Sequence, residues 1–329
     1  MKHVLQWHIT HKCNLRCNHC YQDEYHSDLT WEQMEKIFYQ YKDFLKHYGY
    51  RGHINFTGGE PFINSDVWKL FELCERNNIS FGILTNGTLM TKEMVQRLQD
   101  YKKLSFVQVS IDGVKKTHEK IRGAGTFDKT FHSVKLLKKA GIQVMAAFTC
   151  HQQNFEELSK VIRLVRKHGV DRFWVDRLIP IDGDKALGRS MILSTQEYRS
   201  VIRILTKERM SKTLFARMSK TEIHTNRALQ FCEGGGEIYQ CSAGNGLLTL
   251  LADGTILPCR RLPLPFGNVL EKPILELYQG SELIEDLRKM EIPKDCGSCY
   301  HARLCRGGAK CLSYALYGDY HRRDENCYL

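Results

Sequence analysis

Val4-Leu5-Gln6-Trp7-His8-Ile9-Thr10-His11-Lys12-Cys13-Asn14-Leu15-Arg16-Cys17-Asn18-His19-Cys20 is a β-rich apolar run that breaks into a loop carrying three cysteines spaced CxxxCxxC. The run 4–10 is short and bounded by polar residues, which predicts a buried strand. Five runs of the same texture follow at 53–57, 80–85, 106–111, 143–149 and 172–179. Between them, apolar residues recur at three- and four-residue spacing over 31–47, 67–76, 92–100, 130–140 and 155–168, which predicts helices. Strict alternation of strand and helix implies a parallel sheet built from right-handed crossovers. Six units fall short of the eight in a closed barrel. The expected class is therefore α/β, a partial (β/α)6 TIM-like barrel with its chemistry at the C-terminal ends of the strands.

A further helix is predicted over 196–209, and beyond it the texture changes. Eight of the thirteen cysteines lie from Cys232 to Cys327, among glycines and short loops. Such a segment holds little apolar core and is expected to need metal to fold. The expected organisation is a barrel core over 1–190, a helical bridge over 191–230 and a small cysteine-rich, cluster-stabilised domain over 231–329.

The composition excludes several classes. At 329 residues and 42% hydrophobic content, the chain can bury one large core with a smaller satellite. No apolar stretch approaches the roughly 18 residues of a membrane span, and residues 1–10 lack the layout of a secretory signal. The expectation is a cytoplasmic protein without a membrane partner, whose cysteines serve metal or redox sites rather than disulfides. The net charge of +11 comes from Lys and Arg scattered along amphipathic helices such as 134–139, not massed in a tract. That pattern describes a solvated surface, and no nucleic-acid partner is expected.

Three thiolates on one short loop can hold three irons of a cubane cluster and leave the fourth iron without a protein ligand. A zinc site is the competing reading, but closed zinc sites take four ligands, and His19 as the fourth would be cramped. At this motif the sequence resembles the radical SAM superfamily, whose signature is CxxxCxΦC with Φ aromatic, here His19. The resemblance implies that Cys13, Cys17 and Cys20 carry a catalytic [4Fe-4S] cluster whose open iron is chelated by S-adenosylmethionine. Reduction then yields a 5′-deoxyadenosyl radical.

Further matches fall at later strand ends. Gly58-Gly59-Glu60-Pro61 looks like the family's GGE motif, where glycines permit close backbone approach and a carboxylate suits the methionyl ammonium. Thr85-Asn86-Gly87 and Ser110-Ile111-Asp112-Gly113 close the third and fourth strands. The resemblance implies cofactor contacts from His19, Gly58, Gly59, Glu60, Pro61, Asn86, Ser110, Asp112, Arg122 and Leu178. Arg122, twelve residues after Ser110, is the implied bidentate clamp on the methionyl carboxylate.

The last third resembles the SPASM extension: Cys241, then Gly254 to Cys259, then Cys296, Cys299, Cys305, Cys311 and Cys327. Five residues separate Cys305 from Cys311, where the usual pattern has three. The resemblance implies two auxiliary clusters. Cys241, Cys259 and Cys311 would hold one, which Cys232 either completes as an electron conduit or leaves with an open iron for substrate; Cys296, Cys299, Cys305 and Cys327 would hold the other. The cofactor set is then three [4Fe-4S] clusters and S-adenosylmethionine, with a pair of zinc sites as the competing reading. Cys74 is expected to be a small core residue. Cys150, at a strand end, either packs or donates a hydrogen atom to a substrate radical.

SPASM proteins mostly modify peptide or protein side chains, so the implied activity is a crosslink, thioether or oxidation in the maturation of a ribosomal peptide. Radical modification of a tetrapyrrole or other small molecule is the alternative, and a non-catalytic iron-sulfur carrier is a third class. Sulfatase-maturing members place an aspartate base after the cysteine matching Cys259; Arg260 and Arg261 stand here, which disfavours formylglycine formation. Those arginines either attract acidic groups or are solvated loop residues. A flavodoxin- or ferredoxin-type electron donor is implied. With the first strand starting at residue 4, the substrate is expected to bind the barrel mouth directly or to arrive on a separate peptide-recognition protein.

Overall fold

The structure is a computed structural model and describes residues 1–22, 28–180, 188–211, 213, 216, 218–224, 229, 231, 240–289 and 291–329. Strands β1 (Lys2–His8), β2 (Arg51–Thr57), β3 (Ser80–Thr85), β4 (Leu104–Ser110), β5 (Val144–Cys150) and β6 (Arg172–Arg177) pair in chain order. Every pairing among them is parallel, as strand-helix alternation requires. The crossovers are helices α1 (Trp31–Tyr48), α2 (Val67–Arg76), α3 (Lys92–Leu98), α4 (Lys115–Arg122), α5 (Thr126–Lys139) and α6 (Leu158–Lys167), with α7 (Thr195–Arg209) after β6. This is the expected partial barrel.

Local chemistry explains the helix starts. Thr30 and Gln33 form a reciprocal capping box at α1, and Ser194 and Glu197 do the same at α7. Two elements depart from expectation. The fourth crossover is two helices, because α4 (KKTHEKIR) buries only His118 and Ile121 and so shows no apolar stripe in the sequence. The sheet also continues beyond six strands. β7 (Glu222–His224) adds to β6, while β8 (Leu247–Leu250) runs parallel beside β1, followed by antiparallel β9 (Thr255–Leu257) and β10 (Gly267–Asn268). The cysteine-rich third is thus grafted onto the edge of the first strand.

Strand alternation divides the sheet into two environments. Leu5, Trp7, Ile54, Phe56, Val107, Val109, Ala146 and Phe148 are buried in the apolar core shared with the helices. The opposite face carries Gln6, Asn55, Gln108, Ser110, Thr149 and Asp176, all half-buried, so the barrel interior is polar near its open end. No helix among the described residues is long and apolar enough to cross a membrane.

A buried ion pair ties the chain's end to the barrel. Arg177 Nη2 and Nη1 donate to Asp324 Oδ2 and Oδ1 at 2.7 and 2.8 Å, and Nη1 also donates to Asn326 Oδ1 at 2.7 Å. Burial alone would raise the Asp324 carboxyl, but the Arg177 charge and hydrogen bonds outweigh it and hold the group below its ordinary value. A depressed carboxyl contributes stability at neutral pH that is lost as pH falls through its folded value. Asp324→Ala leaves Arg177 charged and uncompensated, and should cost about 3 to 5 kcal/mol in urea unfolding at pH 7. That cost should shrink toward acid pH, where the wild type forfeits the same pair.

Candidate active site

The C-terminal ends of the strands assemble the motifs. After β1 the cysteine loop is anchored at its root: Thr10 Oγ1 donates to Asp28 Oδ2 at 2.7 Å, and the His11 amide donates to Asp28 Oδ1 at 2.9 Å. Gly58 and Gly59 press against this loop, with the Gly59 amide donating to Thr10 O and the Glu60 amide to Lys12 O, both at 2.8 Å. A Cβ at Gly58 would lie 2.5 Å from Thr10 O, and one at Gly59 only 2.2 Å from Lys12 O. Backbone oxygens cannot give way as a side chain can, so only glycine fits. On the other side, the Asn18 amide and side chain bind Ile121 O and Lys120 O at 2.9 and 3.1 Å, tying the loop to α4.

None of the described cysteines is in a disulfide. Cys13 receives the Leu15 amide at 3.4 Å and Asn86 Nδ2 at 4.0 Å; Cys20 receives the Gln22 amide at 3.4 Å. Cys17 receives Arg122 Nη1 at 3.8 Å. Burial pushes the Cys17 thiol up to about 11, countered by Arg122 and reinforced by Cys20 and Cys13 close by. The three thiols stand on one short loop near one another, and each is met by an N–H donor, which suits a negatively charged thiolate-ligated group.

The GGE carboxylate is not presented to the mouth. Glu60 is fully buried and spends both oxygens on the end of β3, accepting from Thr85 Oγ1 at 2.7 Å and the Asn86 amide at 2.8 Å. Burial raises it to about 7 against these bonds. What the Gly58–Pro61 strip can offer a ligand is therefore backbone, and Pro61 itself is buried at the start of a short 3-10 turn.

Asp112 is the other buried carboxylate. It accepts Arg122 Nε at 2.6 Å and the Thr149 amide at 2.9 Å, with His19 Nε2 at 3.2 Å. Burial would raise it, but Arg122 and His19 hold it far below the usual carboxylate range. Ser110, at the end of β4, is half-buried on the barrel interior. Leu178 is buried, its amide bound to Cys150 O at 2.9 Å.

Cys150 calls for a correction. It shares the face of β5 with Ala146 and Phe148, lies in the apolar core at 1% exposure, and has its thiol pushed well up by burial. A hydrogen donor must face the substrate, so packing accounts for it. Cys74 is also a core residue, as expected.

In the last third the thiols fall into two groups. Cys241, Cys259 and Cys311 sit around Ala243, Leu262 and Leu287. Burial and then Cys311 push Cys241 up to about 12 and Cys259 up to about 11. Cys296, Cys299, Cys305 and Cys327 line one cavity. Cys232 lies outside the described residues. The two arginines are neither free nor loosely solvated. Arg260 stacks on Tyr21 with 4.1 Å to the ring centroid and donates to Tyr21 O at 3.2 Å; Arg261 donates to Asp176 Oδ1 at 2.9 Å and Arg177 O at 2.6 Å. Asp28, Tyr21 and Asp176 escape sequence reading, because isolated polar residues far apart in the chain carry no spacing signal.

Residues 7–165 match the radical SAM superfamily, and residues 241–300 match the SPASM iron-sulfur cluster-binding domain. The chain is a radical SAM enzyme with a SPASM domain. Such domains bind iron-sulfur clusters and S-adenosylmethionine. The chain is 28% identical to an AdoMet-dependent heme synthase of Methanosarcina barkeri, over 98% of this chain and 95% of that protein. It is 26% identical to the antilisterial bacteriocin subtilosin biosynthesis protein AlbA of Bacillus subtilis, over 96% of this chain and 68% of that one. Its fold is shared with Streptococcus suis SuiB, solved with S-adenosylmethionine, at a TM-score of 0.79 and 20% identity over all of this chain and 78% of that one.

Gly59→Ala tests the loop geometry. The added methyl must displace the Lys12 carbonyl, so the anaerobically reconstituted variant should bind less iron than wild type. Its melting temperature should also fall. Undiminished iron would show that the loop does not depend on this contact.

Proposed function

We propose that this radical SAM enzyme carries three [4Fe-4S] clusters and abstracts hydrogen from the side chain of a peptide or protein substrate. The observation that carries the reaction class is that the loop of Cys13, Cys17 and Cys20 meets Arg122 and the Gly58–Gly59 backbone at the C-terminal ends of a parallel sheet's strands. When bound there, the cluster and S-adenosylmethionine supply a carbon-centred radical able to take an unactivated hydrogen. The chain's own part is positional. The glycine strip holds the loop, Arg122 is oriented by Asp112, and the half-buried polar face of the barrel offers Gln108, Ser110 and Thr149 to a substrate. The grouping of Cys241, Cys259 and Cys311, and separately of Cys296, Cys299, Cys305 and Cys327, supports two auxiliary clusters, with Cys232 completing the first. The proposed division is a core over 1–190, a bridge over 191–230 and a cluster domain over 231–329, supplied with electrons by a flavodoxin- or ferredoxin-type protein.

The peptide reading draws on relatives named for subtilosin biosynthesis, mycofactocin maturation and PqqA cyclisation. A second reading, radical modification of a tetrapyrrole side chain, has its own support: the heme synthase relative aligns over 95% of its length, whereas AlbA aligns over 68%.

The anaerobically reconstituted protein should carry about twelve irons per chain, four for each cubane. Changing Cys13, Cys17 and Cys20 together to Ala should leave about two thirds of that iron and abolish 5′-deoxyadenosine formation. Persistent cleavage in the triple variant would refute the catalytic assignment.

The substrate class is separable by mass spectrometry, offering the protein a panel of short peptides and, in parallel, Fe-coproporphyrin III. A peptide mass change coupled to 5′-deoxyadenosine is expected. Turnover of the tetrapyrrole alone would overturn the peptide reading in favour of the second.

A further inference from the structure

Among the described residues four N–H groups reach the sulfurs of the cysteine loop, and they are not equivalent. The Leu15 and Gln22 amides and Asn86 Nδ2 are neutral donors to Cys13 and Cys20, whereas the donor to Cys17 is the cationic guanidinium of Arg122, with Nη1 at 3.8 Å from Sγ. That guanidinium is held in place. Its Nε is bonded at 2.6 Å to Asp112, the Arg122 side chain is 10% exposed, and Asp112 is wholly buried. Asp112 is fixed in turn by His19 Nε2 at 3.2 Å and the Thr149 amide at 2.9 Å. Two of the guanidinium nitrogens are therefore engaged by the protein itself, one by a carboxylate and one by a sulfur. A clamp needed only for a cofactor carboxylate has no use for a bond to sulfur.

We propose that Arg122, positioned by Asp112, raises the reduction potential of the iron-sulfur cluster held by Cys13, Cys17 and Cys20, whether or not it also touches the cofactor. The inference rests on the reading that those three cysteines hold a cluster. Reduction adds an electron to a group already carrying thiolate charge. An N–H donor and a buried positive charge at one of its sulfurs stabilise the reduced form. Burial sharpens the effect, because little water screens the guanidinium from the sulfur. Asp112 opposes it, but sits behind the guanidinium, with both oxygens occupied by Arg122, His19 and the Thr149 amide. Asp112 is thus a positioning residue, and Arg122 is the group whose charge the cluster senses.

The test is a redox titration of the anaerobically reconstituted full-length protein without S-adenosylmethionine. It follows the electron paramagnetic resonance signal that disappears in the Cys13, Cys17 and Cys20 triple Ala variant. Arg122→Gln should shift the midpoint of that signal to a more negative potential, and Arg122→Lys, which keeps the charge, should fall between it and wild type. An Arg122→Gln variant with full cluster content and an unmoved midpoint would overturn the proposal, since a residue serving only the cofactor has no effect in its absence. Should Arg122→Gln fail to hold the cluster, Arg122→Lys alone decides: its midpoint should lie at a more negative potential than wild type, and an unmoved one would overturn the proposal. Absence of any such signal in the wild-type protein would instead refute the assignment of the three cysteines as cluster ligands.

Discussion

A carboxylate with no exposed surface, Asp112, holds the mouth of this barrel together. It sits just past β4, and its partners come from three other places: Arg122 at the end of α4, His19 in the cysteine loop and the Thr149 amide in β5. An unpaired carboxylate in such a place would be prohibitively expensive, and one paired to a single cation would roughly break even. With its oxygens shared among three donors, the charge is retained at neutral pH and the three elements become one unit. The loop bearing Cys17 cannot move independently of β5. A site meant to place a reactive atom within a fraction of an ångström of a substrate hydrogen needs this sort of support.

The opposite flank is built differently. There the glycines at 58 and 59 allow two backbones to meet with nothing between them, so position is set by contact and amide hydrogen bonds rather than by charge. Glu60 strengthens this flank by bonding to the end of β3, and so acts within the scaffold. The mouth thus has a cationic corner at Arg122 and, separately, a backbone strip at Gly58–Gly59.

The last third is joined to the barrel at several points. β8 extends the sheet from β1, Arg177 grips Asp324 near the chain's end, and Arg260 and Arg261 reach back to Tyr21 and Asp176. Tyr21 follows Cys20 and Arg260 follows Cys259, so the stacked pair brings these two cysteine-bearing stretches of chain together. These ties close one side of the barrel interior with residues from the cysteine-rich region.

By itself the sequence determined the parallel barrel, the order of its strands, and the loops on which the cysteines, glycines and Arg122 stand. Those features are local: β3 at Ser80–Thr85 and α2 at Val67–Arg76 match their expected bounds because apolar spacing within a few residues dictates them. The tertiary structure alone decided what the spacing could not carry. Helix α4 forms without an apolar stripe, held by its neighbours, and β8 became a strand by finding the edge of β1 some 240 residues away. Cys150 turned to the core and Glu60 to β3, because strand alternation and burial, not motif position, choose which way a side chain points. The pairing of Asp112 with both His19 and Arg122 belongs to the same class. Charges distant in sequence attract only once folding has brought them together and removed the water between them.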